Sequence, residues 1–264
     1  MGKYDSSLTR VQPVFNALYE KDPIGKSWVS ALLHLGSRSK QATIPEIIPL
    51  RQPPVFEFSA DPPKSFLKYL INNPSKLSSP TSSYWNQCSV NTREKRKALL
   101  AGDVPTQTEA IQKIDGVKKL QSKVWWRLEG VTQVDCALIA ENTVIFIEGK
   151  RTERGASKNI IWYQHRNQVL RNLDCAAEYA DQNGLQNYFV MLVVEKRLTE
   201  NDPVRKGEIK QVLLPETIES SLPHLTANQR KEIMTHYLGW TTWEDIVAEL
   251  GLDSGVLIDR VGEK

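Results

Sequence analysis

The 264-residue sequence has little in it that would staple a fold or hold a soft metal. It carries three cysteines, Cys88, Cys136 and Cys175, and no Cys-x-x-Cys spacing. That argues against a disulfide framework or a thiolate zinc site and suits a reducing, cytoplasmic setting with each thiol acting as a small hydrophobe. The four histidines, His34, His165, His224 and His236, never stand three or four apart, so a histidine pair on one helix face is not expected. No apolar run approaches the roughly 20 residues that span a bilayer, so no membrane partner is expected. No internal repeat or low-complexity tract is present. The opening MGKYDSS lacks an apolar h-region, so no secretory leader is expected. Gly2 and Ser6 meet the loose myristoylation pattern, which is short enough to be met by coincidence.

What the sequence does have is an uneven distribution of charge. The net charge is only +3, but residues 93–171 hold 15 Lys/Arg against nine Asp/Glu, leaving the remainder at −3. A basic central third is what a phosphate-binding surface requires. A solvated face that happens to be basic has the same composition.

Residues 7–20 and 27–36 read as short helices, the first despite Pro13. Residues 40–90 are rich in Pro and Ser, with one helix at 65–73, so residues 1–90 are expected to form an accessory region of helices and long loops. From residue 91 to 264 the pattern tightens into a second domain. Helices are expected at 91–102 and 106–114, the latter opening on a Thr106/Glu109 capping box. Three strand-like runs occupy 123–129, 131–140 and 143–150. A long helix is expected over 158–181, a doubly buried strand over 187–196, and closing helices at 224–237 and 241–250. The expected fold is α/β: a mixed sheet with helices on both sides, because strand, crossover helix and strand imply a parallel pair.

The two central strands, VTQVDCALIA and TVIFIEGK, are separated by Glu141-Asn142. A turn centred there sets Ile139 opposite Val144, Asp135 opposite Glu148, and Gln133 opposite Lys150. Asp135, Glu148 and Lys150 then share one face. Opposed carboxylates repel, the more so when removed from water. A hard divalent cation between them would reconcile the pair, and such a cation can activate water against a phosphodiester, with Lys150 beside it. The alternative is an edge strand with Asp135 in solvent and Glu148/Lys150 as a surface ion pair. A one-residue shift of the turn would break the alignment, but four consecutive apolar residues in VIFI favour a central strand.

These residues carry a resemblance. Asp135, then Glu148-Gly149-Lys150 at the end of an apolar strand, resemble the D…(D/E)xK signature of the PD-(D/E)XK nucleases, and Val134 stands where the leading proline would be. The stretch WWRLEGVTQVDCALIAENTVIFIEGKRTE is similar to uncharacterised prokaryotic members with a VD…EGK core. The resemblance covers about 100 residues and implies a restriction-endonuclease-like αβββαβ core. It implies a nuclease acting on nucleic acid, DNA first, with Mg²⁺ (or Mn²⁺) as cofactor; a homodimer is compatible with it. Asp135, Glu148 and the Gly149 carbonyl are then metal ligands, and Lys150 acts on water or the scissile phosphate. A further acid from the first core helix would be Glu109, with Glu94 behind it. Glu129 would need a bend at Gly130, since six extended residues at roughly 3.3 Å each put it too far from Asp135. Gln164, Gln168 and Arg171 would share a helix face near the site, and Arg151, Arg154 and Lys158 would contact phosphates. Each has a bland counterpart: a cap, a solvated polar face, a solubilising loop. Trp125, Trp126, Trp240 and Trp243 are expected in the core rather than on bases. The competing readings are a catalytically silent nucleic-acid-binding or structural module, and a Mg²⁺-dependent hydrolase of another substrate.

Overall fold

The computed structural model describes residues 5–46, 49–121, 123–151, 161–201 and 203–259. A π-turn at Ser7–Val11 runs into α1 (Gln12–Lys21), where Pro13 falls in the first turn and its missing N–H is not needed. There follow α2 (Val29–His34), β1 (Val55–Ala60), α3 (Lys64–Asn72), α4 (Ser82–Gln87), α5 (Val90–Leu100) and α6 (Val104–Gly116). The hairpin strands are β2 (Thr132–Ile139) and β3 (Thr143–Gly149). Then come α7 (Gln168–Gln182), β4 (Asn187–Val194), α8 (Lys196–Asn201), α9 (Pro203–Gln211), α10 (Pro215–Ser221), α11 (Ala227–Ile233), β5 (Tyr237–Thr242) and α12 (Trp243–Glu249).

The five strands form one mixed sheet in the order β1-β2-β3-β4-β5. β1, β2 and β3 are antiparallel neighbours, while β3, β4 and β5 run parallel. The fold is therefore α/β, with helices on both faces. On one face Val11, Phe15, Leu18 and Trp243 cover Cys136, Leu138, Ile145 and Ile147. Phe15 meets Trp28 and Trp243 at 6.4 Å between ring centroids, and burying each such ring contributes roughly 1.5–3 kcal/mol. On the other face α7 lays Val169, Leu170, Leu173 and Ala176 over Ala137, Val144 and Phe146. A third cluster joins α3, α5 and α6 to Trp126, Leu128, Trp162 and Tyr163. Of the four tryptophans expected in the core, Trp126 and Trp243 are buried, while Trp125 and Trp240 are half-buried against it.

Several expectations need correction. The division at residue 90 does not match the packing, because α1 and α2 form one side of the core and β1 pairs with β2. β1, VFEFSA, lies inside the Pro/Ser-rich stretch read as loops. Residues 123–129 are not a strand. Lys123 adopts φ +62, and the carbonyls of Val124, Trp125 and Arg127 are taken by the Arg96 guanidinium rather than by a ladder. Of the helix expected over 158–181, residues 158–160 lie outside the described residues and 161–167 are turns and coil; α7 starts at Gln168, where Asn167 caps it by accepting from the N–H groups of Val169 and Leu170. The α6 cap is Asp103, which accepts from the Thr106 N–H, instead of the Thr106/Glu109 box. The expected helix at 224–237 ends at residue 233 and gives way to β5. Gly239 (φ +82) obscured that strand in the sequence, and a Cβ there would sit 2.3 Å from Ser37 Oγ.

Candidate functional site

Cys136, Ala137, Leu138 and Ile139 pair with Ile147, Phe146, Ile145 and Val144. This is the expected hairpin register, and Asp135 and Glu148 are the next pair beyond the ladder. There the Gly149 N–H donates to Asp135 Oδ2 at 2.7 Å. Gly149 has a packing reason of its own: a Cβ would lie 2.7 Å from Val11 and 2.8 Å from Trp243.

Glu148 is held from three sides. Its Oε1 accepts from Gln168 Nε2 at 2.6 Å and pairs with Lys150 Nζ at 2.7 Å. Its Oε2 accepts from Asn172 Nδ2 at 2.8 Å, and Asn172 Oδ1 in turn accepts from the buried Thr132 hydroxyl at 2.8 Å. Gln168 and Asn172 are one helical turn apart, so the first turns of α7 present both amides to β3. Asp135 is less well served. Among the described residues Gly149 is its only hydrogen-bond donor. Burial pushes its carboxyl pKa up to about 8, the Glu148 charge adds to the push, and Lys150 and the Gly149 N–H oppose it.

Asp135, Glu148, Lys150, Gln168 and Arg171 border one cavity of about 540 Å³, together with a wall containing Tyr84, Arg96 and Trp162. A second cavity of about 540 Å³ shares Lys150 and Gln168 with it and is bordered by Gln164 and His165. The structure thus brings together Asp135, Glu148, Gly149, Lys150 and Gln168.

The other candidates are placed differently. Glu109 pairs with Lys95 at 2.6 Å and Lys113 at 3.9 Å on α6, away from the cavity. Its position in mid-helix, not at a cap, sets it on the half-exposed face. Glu94 is exposed on α5. Glu129 is buried and bound by Arg171 at 2.7 Å and Arg166 at 3.5 Å, so it is not turned toward Asp135. Arg171 borders the cavity, but it is neutralised by Glu129 and donates to the Gly130 and Val131 carbonyls. Arg151, expected at phosphates, is 3% exposed and lies 3.6 Å from both Glu195 and Asp259. Burial and nearby Arg10 pull its guanidinium pKa down. Gln164 is exposed in the turns before α7 and shares no helix face with Gln168. Arg154 and Lys158 lie outside the described residues.

Sequence reasoning missed Asn172, whose signal is its spacing of four from Gln168. It also missed Glu57. The β1–β2 register pairs Phe56 with Cys136 and Phe58 with Val134, which leaves Glu57, at φ +50, facing Asp135. Glu57, Asp135 and Glu148 therefore fall in one row across three strands, with Glu57 exposed and adding slightly to the upward push on Asp135. Among the described residues no group of three or more His, Cys, Asp or Glu is placed to hold a metal ion. The buried network of Arg166, which pairs with Asp174 at 2.5 Å and lies 3.8 Å from the Phe66 ring centroid, was also not foreseen.

No protein-family model matches the chain, and no curated protein matches it. Among solved structures, the chain is similar to protein VC1899 from Vibrio cholerae, with 12% identity and a TM-score of 0.25. The match covers 91% of this chain and 55% of that one, so the chain spans about half the length of that protein. At that TM-score the likeness carries no argument. No helix among the described residues is long and apolar enough to cross a membrane.

Proposed function

We propose that this chain is a metal-dependent nuclease of the PD-(D/E)XK type that hydrolyses phosphodiester bonds, in DNA first. The observation that carries the reading is the convergence of Asp135, Glu148, Lys150 and Gln168 on one cavity at the end of the hairpin. The element order supports it. In the sheet β1, β2 and β3 are antiparallel neighbours and β4 follows α7 in parallel, the strand arrangement of an αβββαβ core, with α2 between α1 and β1, helices α3–α6 inserted between β1 and β2, and β1 in the place expected of residues 123–129.

The carboxylates fit a hard divalent cation. Asp135 is destabilised as an anion, has one oxygen without a donor among the described residues, and sits beside a second carboxylate. Asp135 and Glu148, with the Gly149 carbonyl, would hold Mg²⁺, and the bound cation supplies charge that favours hydrolysis. The rest of the chemistry belongs to the chain. Gln168 and Asn172 fix the Glu148 carboxylate. Lys150 offers a positive charge in the cavity to the phosphate as negative charge develops on it. A second reading, a metal-free nucleic-acid-binding module, draws on the fact that Glu148 already has three protein donors.

The test is cleavage of single-stranded, supercoiled and linear duplex DNA with Mg²⁺ or Mn²⁺ beside an EDTA control. Cutting that depends on the cation supports the nuclease. DNA binding by the folded chain with no cutting under either cation moves the assignment to the module.

A further inference from the structure

The cavity that holds the carboxylates has a second wall whose chemistry the hydrolytic groups do not use. Tyr84 and Trp162 meet edge to face there, 5.6 Å between centroids and 84° between planes. The Arg96 guanidinium carbon lies 5.7 Å from both ring centroids. Its nitrogens donate to the Trp125 carbonyl at 2.9 Å, the Val124 carbonyl at 3.0 Å and the Tyr84 hydroxyl. These bonds fix the guanidinium without cancelling its charge.

Among the described residues the other cations bordering the cavity are each matched by an acid: Lys150 by Glu148, Arg127 by Asp61 and Arg171 by Glu129. Among the described residues no carboxylate lies within ion-pair reach of Arg96. Its nitrogens all donate to protein acceptors, the Arg127 carbonyl and Cys88 Sγ included, so it offers an anion in the cavity its uncompensated charge rather than a free donor, beside a half-buried tyrosine ring and the exposed side chain of Ile161. Apolar and aromatic surface next to an uncompensated guanidinium is what a nucleobase and its phosphate require together.

Access narrows the substrate further. Glu148 is only 1% exposed and the cavity measures about 540 Å³. In a duplex the bases stay stacked on one another, so only an unpaired strand offers a base to this wall. Resting on the nuclease reading, we infer that the substrate is single-stranded nucleic acid. One base lies on the Tyr84–Ile161 surface, and its neighbouring phosphate faces the Arg96 charge.

The test is fluorescence anisotropy of the full wild-type chain in EDTA with three labelled probes of equal length: an oligothymidylate, the same strand with abasic sites, and a blunt duplex. The oligothymidylate is expected to bind about tenfold more tightly than the other two, the scale of one base–aromatic stack. Tyr84→Leu should bring it to the abasic level. Because a variant can perturb packing, the wild-type chain is also irradiated with an iodouracil-substituted strand, and the adduct is expected on Tyr84. Duplex bound as tightly as single strand, or abasic strand bound as tightly as oligothymidylate, overturns the inference. If that duplex is then cut with Mg²⁺, the nuclease reading stands without it. Binding of none of the probes and no cation-dependent cutting overturns both.

Discussion

A carboxyl group sunk beside a carboxylate holds on to its proton, and for Asp135 this couples stability to pH. Its pKa in the fold, about 8, lies above the ordinary carboxylate value of 3.8. The folded chain therefore binds more protons than the unfolded chain between these values, and Asp135 lowers stability as pH rises from about 4 to about 8. The Asp135→Asn variant lacks this contribution. In EDTA its melting temperature should match the wild type near the bottom of that window and exceed it by a few degrees near the top. A constant difference across the window would contradict the environment described for Asp135. The residue-level reading was legible because strand pairing is arithmetic: once the turn is centred on Glu141-Asn142, Asp135 must meet Glu148. Glu57 was not legible, since it faces Asp135 only through the register of an edge strand distant in sequence.

At the scale of elements, α7 is the strut of the site. Gln168 and Asn172 both reach Glu148, but they differ in surroundings: Gln168 is half-buried and Asn172 fully buried. Removing Asn172 strands Glu148 Oε2 and the Thr132 hydroxyl in the interior, at about 1–3 kcal/mol for each unsatisfied group. Asn172→Ala should lower both the melting temperature and cleavage. Gln168→Ala should leave the melting temperature nearly unchanged and lower cleavage about 10–100-fold, as loss of a group supporting a metal ligand does. Thermal melts beside cleavage rates separate the two, and equal loss of stability in both variants would contradict the assignment. The start of α7 could not be read from periodicity. The amphipathic pattern of 158–181 continues upstream, and the break comes from the Asn167 side chain bonding the helix N–H groups. The same limit hid β5 behind Gly239, and made 123–129 look like a strand although Arg96 claims its carbonyls.

Across the whole chain, one sheet draws on both ends of the sequence. α1 and the turn before it, with Val11, Phe15 and Leu18, cover one face of β3, and β1 closes the edge beside Asp135. A fragment of residues 91–264 should therefore not fold, and its amide spectrum should lack native dispersion; a cooperatively folded fragment would contradict the single core. Composition alone suggested the opposite, because Pro and Ser dominate residues 40–90 while the six residues of β1 are too few to show an alternation. If the hairpin end is a hydrolytic centre, Lys150 is its most separable part. The decisive measurement is single-turnover cleavage by Lys150→Ala with Mg²⁺, beside its DNA affinity in EDTA. The expected rate is lower by about 10²–10³-fold or more, the scale for removing one charge-stabilising group, with the fold intact and binding largely kept. Cleavage at the wild-type rate by a folded Lys150→Ala chain would contradict a hydrolytic role for the hairpin end.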